Sequence, residues 1–383
     1  MKYLSLIFAN LRRKKLRTVL TILSIIVAFV LFGYLSAIKT AFVAGVEVAG
    51  ADRLITRNKV SLINLVPLAH KNDIAAIDGV DLVTHQTWFG GIYQQPSNFF
   101  AQFVVEPESF LDLYPEYVLT DMQKAAWLDN RTGVIVGRGL AERFGWSEGD
   151  RVPLLSPIWS QKGGGRDWAF DISAIYEGAE DGVDTSQMFI RYDYMDEARQ
   201  GGQGLVGWYT LRIADPDRAA EIAQEIDRTF ANSPDETKTE PEGAFIQGFA
   251  NQVGDIGFII GAIVSAVFFT ILLVAGNTMA YAVRERTNEL AVLKAMGFTD
   301  AGVLGLVLGE SLLLTSIGGG LGLLLGWLMV QGGDPTNGFL PVFFIPERDM
   351  LIGIVLIGVT AFVAGILPAL QAQRLKIADA LRR

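Results

Sequence analysis

Residues 284–300 read RERTNELAVLKAMGFTD and lie between two long apolar runs. Leu290, Leu293 and Met296 follow one another at intervals of three, which predicts one apolar stripe on a helix. The charged positions around that stripe are Arg284, Glu285, Arg286, Glu289 and Lys294. Gly297 is suited to end the helix in a Schellman motif, with Phe298 folding back on Leu293, and Thr299 or Asp300 can cap the next helix. The segment is therefore predicted to be an amphipathic helix at a membrane surface, fixed at both ends.

Four apolar runs are each long enough to cross a hydrocarbon core of about 30 Å, and half of the 383 residues are hydrophobic. The runs are Thr18–Ile38, Ile256–Val283, Ala301–Val330 and Leu351–Leu370. The first run follows a basic region, as a signal peptide also does, but it exceeds the roughly 7–15 apolar residues of such a peptide, which favours an uncleaved span. We therefore predict a membrane protein with four transmembrane α-helices and a large α+β extracytoplasmic domain inserted between the first two.

Basic residues indicate the orientation of these spans. Of the 32 Lys and Arg residues, 13 lie in the short segments 1–17, 284–300 and 372–383. The positive-inside rule places these segments, and so both termini, on the cytoplasmic side of the membrane, which we expect to be a bacterial inner membrane. Residues 41–252 then lie outside, with 17 basic and 32 acidic residues, a charge of about −15. That acidity argues against nucleic acid as a partner.

These assignments divide the chain into nine segments. They are a cytoplasmic amphipathic or merely basic helix (1–17), the first span (18–40), the periplasmic domain with stalk-like ends (41–252), the second span (253–283), the cytoplasmic amphipathic helix (284–300), the third span (301–331), a short periplasmic loop (332–350), the fourth span (351–371) and a cytoplasmic tail (372–383). Both 40–51 and 242–255 continue the neighbouring helical pattern, so we expect the first two helices to project beyond the bilayer.

The inserted domain shows a mixed pattern of strands and helices. Strands are predicted at Asp81–Ile92, Phe99–Val105, Gly133–Val136, Trp168–Tyr176, Gln187–Tyr192 and Trp208–Ile213, because these runs are rich in β-branched and aromatic residues. Helices are predicted at Ser109–Tyr114, Gly139–Phe144 and Asp217–Ala231. Ser233–Glu242 is interpreted as a polar linker that returns the chain to the membrane.

The sequence offers no catalytic or metal-binding pattern. The absence of cysteine excludes disulfides and thiolate chemistry, and His70 and His85 lie in no metal-ligand spacing. A phosphate-binding loop, a GxSxG elbow and an HExxH motif are also absent. We therefore predict no catalytic, cofactor-binding or metal-ligating residue, and expect any ATP and Mg²⁺ to be used by another chain. A membrane-anchored enzyme with its site in residues 41–252 is the disfavoured alternative.

The third span contains two unusual features. Gly318, Gly322 and Gly326 repeat every four residues and clear a groove for close helix approach, either within the chain or at a dimer seam. Glu310 is a carboxylate about nine residues into the same span, where an unpaired charge costs about 2.5 kcal/mol or more. A structural or coupling role for Glu310 is favoured over a proton relay.

Four stretches of this chain resemble the MacB/FtsX-type permease subunits of ABC transporters, a family that includes LolC and LolE. They are RERTNELAVLKAMGFT at 284–299, ESLLLTSIGGGLGLLLG at 310–326, GVIVGRGLAERFGWSEGDRVPL at 133–154 and PALQAQRLKIADALR at 368–382. The last places Pro368, Leu381 and Arg382 in the family's tail motif. Ile377 departs from that motif, in which the family usually has Pro, so the tail helix is not expected to restart there.

The resemblance implies a function. Residues 284–300 would be the coupling helix that contacts a separately encoded ATPase, since no ATPase is fused to this chain. Two ATPase copies and a second permease, identical or paralogous, would complete the complex, and a periplasmic adaptor is left open. ATP hydrolysis would move the outer domain by mechanotransmission and so export or extract a lipid, lipoprotein, peptide or hydrophobic drug. The alternative is a non-transport FtsX-like relay that activates an extracytoplasmic hydrolase or sensor.

Overall fold

The computed structural model describes residues 14–48, 50–180, 182–252, 256–333, 335, 340 and 342–375. The chain divides into two compact units, which we call the helical unit (1–40, 255–333 and 343–383) and the inserted domain (41–254 and 334–342). The predicted N-terminal helix lies outside the described residues except at its last four positions. Leu381 and Arg382 also lie outside them.

The described residues form twelve α-helices and twelve strands, numbered in chain order. The helices are α1 Lys15–Val48, α2 His70–Ala75, α3 Pro107–Leu113, α4 Asp121–Asp129, α5 Arg138–Phe144, α6 Tyr192–Ala198, α7 Ala219–Thr229, α8 Glu242–Gln252, α9 Ile256–Glu285, α10 Thr287–Ala295, α11 Asp300–Gln331 and α12 Glu347–Gln373. The strands are β1 Arg53–Asn58, β2 Val66–Pro67, β3 Val80–Trp88, β4 Gln102–Val105, β5 Tyr117–Val118, β6 Gly133–Gly137, β7 Arg151–Leu155, β8 Asp167–Gly178, β9 Met188–Arg191, β10 Leu205–Val206, β11 Trp208–Ile213 and β12 Thr237–Pro241.

Four long apolar helices build the helical unit. Among the described residues, Lys15–Ala41, Phe258–Glu285, Asp300–Gln331 and Glu347–Gln373 are long and apolar enough to cross a membrane. Helix α1 continues without a break to Val48, and α8 forms a separate helix before α9. The predicted fold class, four such helices with an α+β domain after the first, is confirmed.

The repeated glycines of α11 lie against α1. A methyl group added to Gly322 would come within 2.6 Å of the Cβ of Phe29 and 2.7 Å of the carbonyl oxygen of Ile26. One added to Gly318 would come within 2.8 Å of Ile25. One added to Gly326 would lie 3.3 Å from the carbonyl oxygen of Val30. Packing within the chain therefore accounts for this groove, because its own first helix fills it.

The inserted domain is built on one large mixed sheet. Its strand order is β12-β1-β11-β3-β4-β9-β6-β8-β5, and β7 pairs with β8. Strands β4 and β9, and β6 and β8, are parallel, whereas the remaining pairs of this sheet are antiparallel. A short pair, β2 and β10, lies apart from it. Each strand predicted from the sequence coincides with an observed strand to within a few residues.

The predicted linker at 233–242 is wrong, because Thr237–Pro241 forms edge strand β12. Its buried side chains are threonines, Thr237 and Thr239, which no hydrophobic pattern reveals. Both hydroxyls donate to Asp227 of α7, at 3.0 and 2.9 Å. In this strand, hydrogen bonds from buried hydroxyls take the place of buried apolar side chains. A pattern of alternating hydrophobic residues therefore does not reveal it.

A buried charged cluster joins the two ends of the inserted domain. Arg53, the first residue of β1, donates to Glu242 at 2.5 Å and pairs with Glu116 at 2.8 Å. Glu242, the first residue of α8, also accepts from the hydroxyl of Tyr114 at 2.7 Å. The guanidinium lies over the Tyr114 ring, 4.7 Å from its centre. The strand that follows α1 and the helix that precedes α9 are thus held together inside the domain.

Candidate coupling site

The charged segment between α9 and α11 contains a sharp break at Arg286. This residue adopts φ −104° and ψ 19°, and its N–H bonds to the carbonyl of Val283, three residues back. The predicted single helix over 284–300 is therefore too long. Arg284 and Glu285 belong to the last turn of α9, and only Thr287–Ala295 forms α10.

The break is held by an ion pair with α11. Arg286 donates from Nη2 to both carboxylate oxygens of Glu310, at 2.7 and 2.6 Å, and its Nε bonds to the carbonyl of Ala282. Glu310 is 3% exposed. A buried carboxylate is tolerated in an apolar helix when it is paired in this way. The pairing supports the structural or coupling role for Glu310 over the proton relay.

The C-terminal end of α10 has the predicted geometry. Gly297 has φ +98°, a conformation that L residues rarely adopt. Its N–H bonds to the Lys294 carbonyl at 3.0 Å, and that of Phe298 bonds to the Leu293 carbonyl at 3.1 Å, the two bonds of a Schellman motif. Thr299 then accepts from the N–H of Gly302 at 3.1 Å and caps α11.

The predicted apolar stripe of α10 is wrong in its third member. Leu290 is buried and Leu293 partly buried, but Met296 is 67% exposed. Steps of three residues lag behind the 3.6-residue turn, so Met296 is rotated by about 120° from Leu290. Ala291, which is fully buried, completes the inner face instead.

Lys294 also lies on the inner face rather than among the exposed charges. Its side chain is 6% exposed, and its Nζ donates to the carbonyls of Gln373 and Leu375 at 2.6 and 3.1 Å. The same Nζ pairs with Asp300 at 2.7 Å. It therefore satisfies carbonyls left open at the end of α12 and joins them to the start of α11. Apart from the general preference of cations for helix C-termini, no sequence pattern predicts this contact.

Glu285 makes the corresponding contact to α1. Its carboxylate pairs with Lys14 at 2.7 Å and with Arg17 at 2.9 Å. The segment 284–300 is thus tied to α1 by Glu285, to α9 by the chain itself, to α11 by Arg286 and to α12 by Lys294. All four long helices meet the same short element.

The remaining face of α10 is open. Glu289 is exposed, Val292 is 46% exposed and Met296 67% exposed. Of the predicted tail residues, Pro368 is buried within α12. Among the described residues, no cluster of three potential metal ligands occurs.

Residues 256–377, which include α9 to α12, match the FtsX-like permease C-terminal family. These residues form an FtsX-like permease domain. Over 398 aligned positions the chain is 22% identical to the uncharacterized ABC transporter permease MJ1507 of Methanocaldococcus jannaschii, and the match covers 98% of this chain and 96% of that one.

A second relative is longer than this chain. The macrolide export ATP-binding/permease protein MacB of Nitrobacter winogradskyi is 38% identical over 126 residues, which are 32% of this chain and 19% of that protein. Among solved structures, the periplasmic region of MacB from Actinobacillus actinomycetemcomitans is similar with a TM-score of 0.38 and 10% identity, covering 55% of this chain and 98% of that structure.

Proposed function

We propose that this permease couples ATP hydrolysis by a separate ATPase subunit to movement of its inserted domain. The observation that supports this most is the asymmetry of α10. At its edges, Glu285 and Arg286 just before α10 pair with α1 and α11, and Lys294 within α10 contacts the end of α12, whereas α10 also exposes Glu289, Val292 and Met296. An ATPase that binds the exposed face of α10 can move the four long helices together, because these contacts restrict the movement of one helix relative to another.

The complex has two ATPase copies and two permeases, the second being identical or paralogous, in the bacterial inner membrane. Both termini and α10 lie in the cytoplasm, and the inserted domain lies on the opposite side. The proposed activity is export or extraction of a lipid, lipoprotein, peptide or hydrophobic drug, with the inserted domain acting on cargo outside the bilayer. An adaptor in the periplasm is compatible with that arrangement.

The test replaces the apolar part of the open face. In a tagged permease isolated from its native membrane, Val292→Asp with Met296→Asp is expected to reduce the retained ATPase by about tenfold, a loss of about 1.4 kcal/mol. Val60→Asp, at an 84% exposed position of the inserted domain, is the matched control and should leave retention unchanged. Full retention by the double variant would remove the basis of the proposal.

The relay alternative is separated by what the inserted domain contacts during turnover. A crosslink from Val60→Cys to transported cargo supports export. A crosslink only to a hydrolase or sensor, with ATP consumption intact, supports the FtsX-like relay.

A further inference from the structure

A cleft opens in the helical unit where α1 begins and α9 ends. Its volume is about 640 Å³, and it is lined by Arg17, Asn277, Thr278, Tyr281, Arg284 and Glu285. A groove of about 350 Å³ continues it between α1 and α9, with Leu20 and Val274 among its walls. Arg17 and Thr278 line both spaces, so the two form one channel-like surface.

The cleft carries uncompensated positive charge. Glu285 is shared by Lys14 and Arg17, so one carboxylate faces two cations. The guanidinium of Arg284 makes no ion pair with any residue that the structure describes. Three cations against one anion leave a net charge of +2 at this end of the helices.

The groove between α1 and α9 has largely apolar walls, although three of its lining residues carry hydroxyl groups. The side chains of Thr21, Ser24 and Thr278 each donate to a carbonyl of their own helix, at 2.9, 2.9 and 2.8 Å. Their methyl and methylene groups, with Leu20 and Val274, therefore form the walls. This is the kind of surface against which an acyl chain packs.

Asn277 marks an intermediate depth. It is exposed, and within the described part of the chain its amide has no hydrogen-bond partner. It precedes Arg284 by seven residues, which is about 10 Å along a helix. A polar side chain at that depth of a leaflet needs a polar partner. The ester carbonyls of a lipid lie between its phosphate and its acyl chains and meet that need.

We propose that this cleft binds one anionic phospholipid of the leaflet next to α10. Its phosphate lies between Arg17 and Arg284, its ester region is held by Asn277 and Tyr281, and an acyl chain follows the groove past Leu20 and Val274. Guanidinium groups bind phosphate through paired N–H donors, and anionic lipids are concentrated in the cytoplasmic leaflet. The binding requires no ATPase, so it stands or fails separately from the proposed function.

The experiment measures lipid binding to the purified full chain by native mass spectrometry. Phosphatidylglycerol is expected to bind about tenfold more tightly than phosphatidylcholine with the same acyl chains, since two cations near the surface favour it. Arg284→Gln should abolish most of that preference. Arg348→Gln removes an exposed cation at the start of α12, far along the chain from the cleft, and should preserve it.

Two further measurements separate the parts of the site. Asn277→Leu should weaken both lipids while leaving their ratio unchanged, because the ester region is common to them. Free glycerol phosphate, which lacks acyl chains, should not displace phosphatidylglycerol. Equal binding of the two lipids, equal effects of Arg284→Gln and Arg348→Gln, or displacement by glycerol phosphate would each overturn the proposal.

A second copy of the chain is the competing occupant of this surface. Since the chain has no cysteine, an Asn277→Cys variant carries a single thiol. The proposal expects this variant to form no disulfide between copies under oxidation in membranes and to bind the lipid more weakly. An efficient disulfide between two copies would show instead that the cleft is part of a dimer seam.

Discussion

Arg286 and Glu310 form an ion pair in the helical unit whose carboxylate is buried. Replacing Arg286 by Ala leaves a carboxylate that is 3% exposed without its cation. We expect this to cost about 3–5 kcal/mol and to lower the unfolding temperature of the detergent-purified chain. Combining Arg286→Met with Glu310→Leu removes both charges and should restore most of the loss. A single variant as stable as the parent would show that the pair is not needed.

His85 makes the stability of the inserted domain depend on pH. It is 1% exposed, lies edge-on to Tyr192, and burial lowers its pKa to about 4. Asp196 and Glu106 oppose that shift, and Lys71 reinforces it. Because the folded pKa is below the unfolded value of about 6.5, the unfolded chain binds the proton first. Stability is full above pH 6.5 and falls by about 3 kcal/mol as the pH drops to 4.

Glu106 adds to this acid sensitivity at lower pH. Burial alone would raise its pKa, but hydrogen bonds from Lys71 and Ser109 outweigh that effect and lower it. Its contribution is therefore present above its unfolded pKa and lost as the pH falls through the folded value.

Tryptophan fluorescence during denaturant titration measures the free energy of unfolding of the inserted domain at pH 7 and at pH 5. His85→Phe should flatten the profile across that range, and an unchanged profile would contradict the assignment to His85.

At the scale of elements, the packing of α11 on α1 depends on Gly322. A Cβ there would lie 2.6 Å from Phe29 and 2.7 Å from a backbone oxygen, so Gly322→Ala must separate the two helices. Gly320, two residues earlier, has open space where its Cβ would lie. Gly320→Ala should therefore be neutral or stabilise α11 by up to about 1 kcal/mol. Gly322→Ala should lower the unfolding temperature, whereas Gly320→Ala should leave it unchanged or raise it, and equal shifts would contradict this packing.

Some of these elements follow from local sequence patterns, and others do not. The spans were predictable because apolar length is a local signal, and the end of α10 was predictable because Gly297 and Thr299 act through neighbouring backbone. Strand β12 and the inner position of Lys294 were not, because both depend on partners distant in the chain, Asp227 and the end of α12. The pairing of Glu310 with Arg286 was likewise beyond reach, since it joins residues of two different helices.

The distribution of basic residues predicts on which side of the membrane each part of the whole chain lies. The natural chain has no cysteine, so single thiols report their own side of the membrane. A membrane-impermeant maleimide should label Val60→Cys in intact spheroplasts and Val292→Cys only in inverted vesicles. Both positions are exposed in the protein, so burial does not explain a failure to react. Labelling of Val292→Cys from the outside would overturn the orientation and, with it, any grip by a cytoplasmic ATPase.

The clamp of Arg53 on Glu242 has an evolutionary consequence. Because β1 and β12 are adjacent strands, the start of the first strand and the end of the last strand in this domain lie about one strand spacing, roughly 5 Å, apart. A domain with neighbouring ends can be exchanged as a block, since its host needs only two closely spaced attachment points. Recombination between related genes can thus exchange this sheet as one unit while leaving the long helices unchanged.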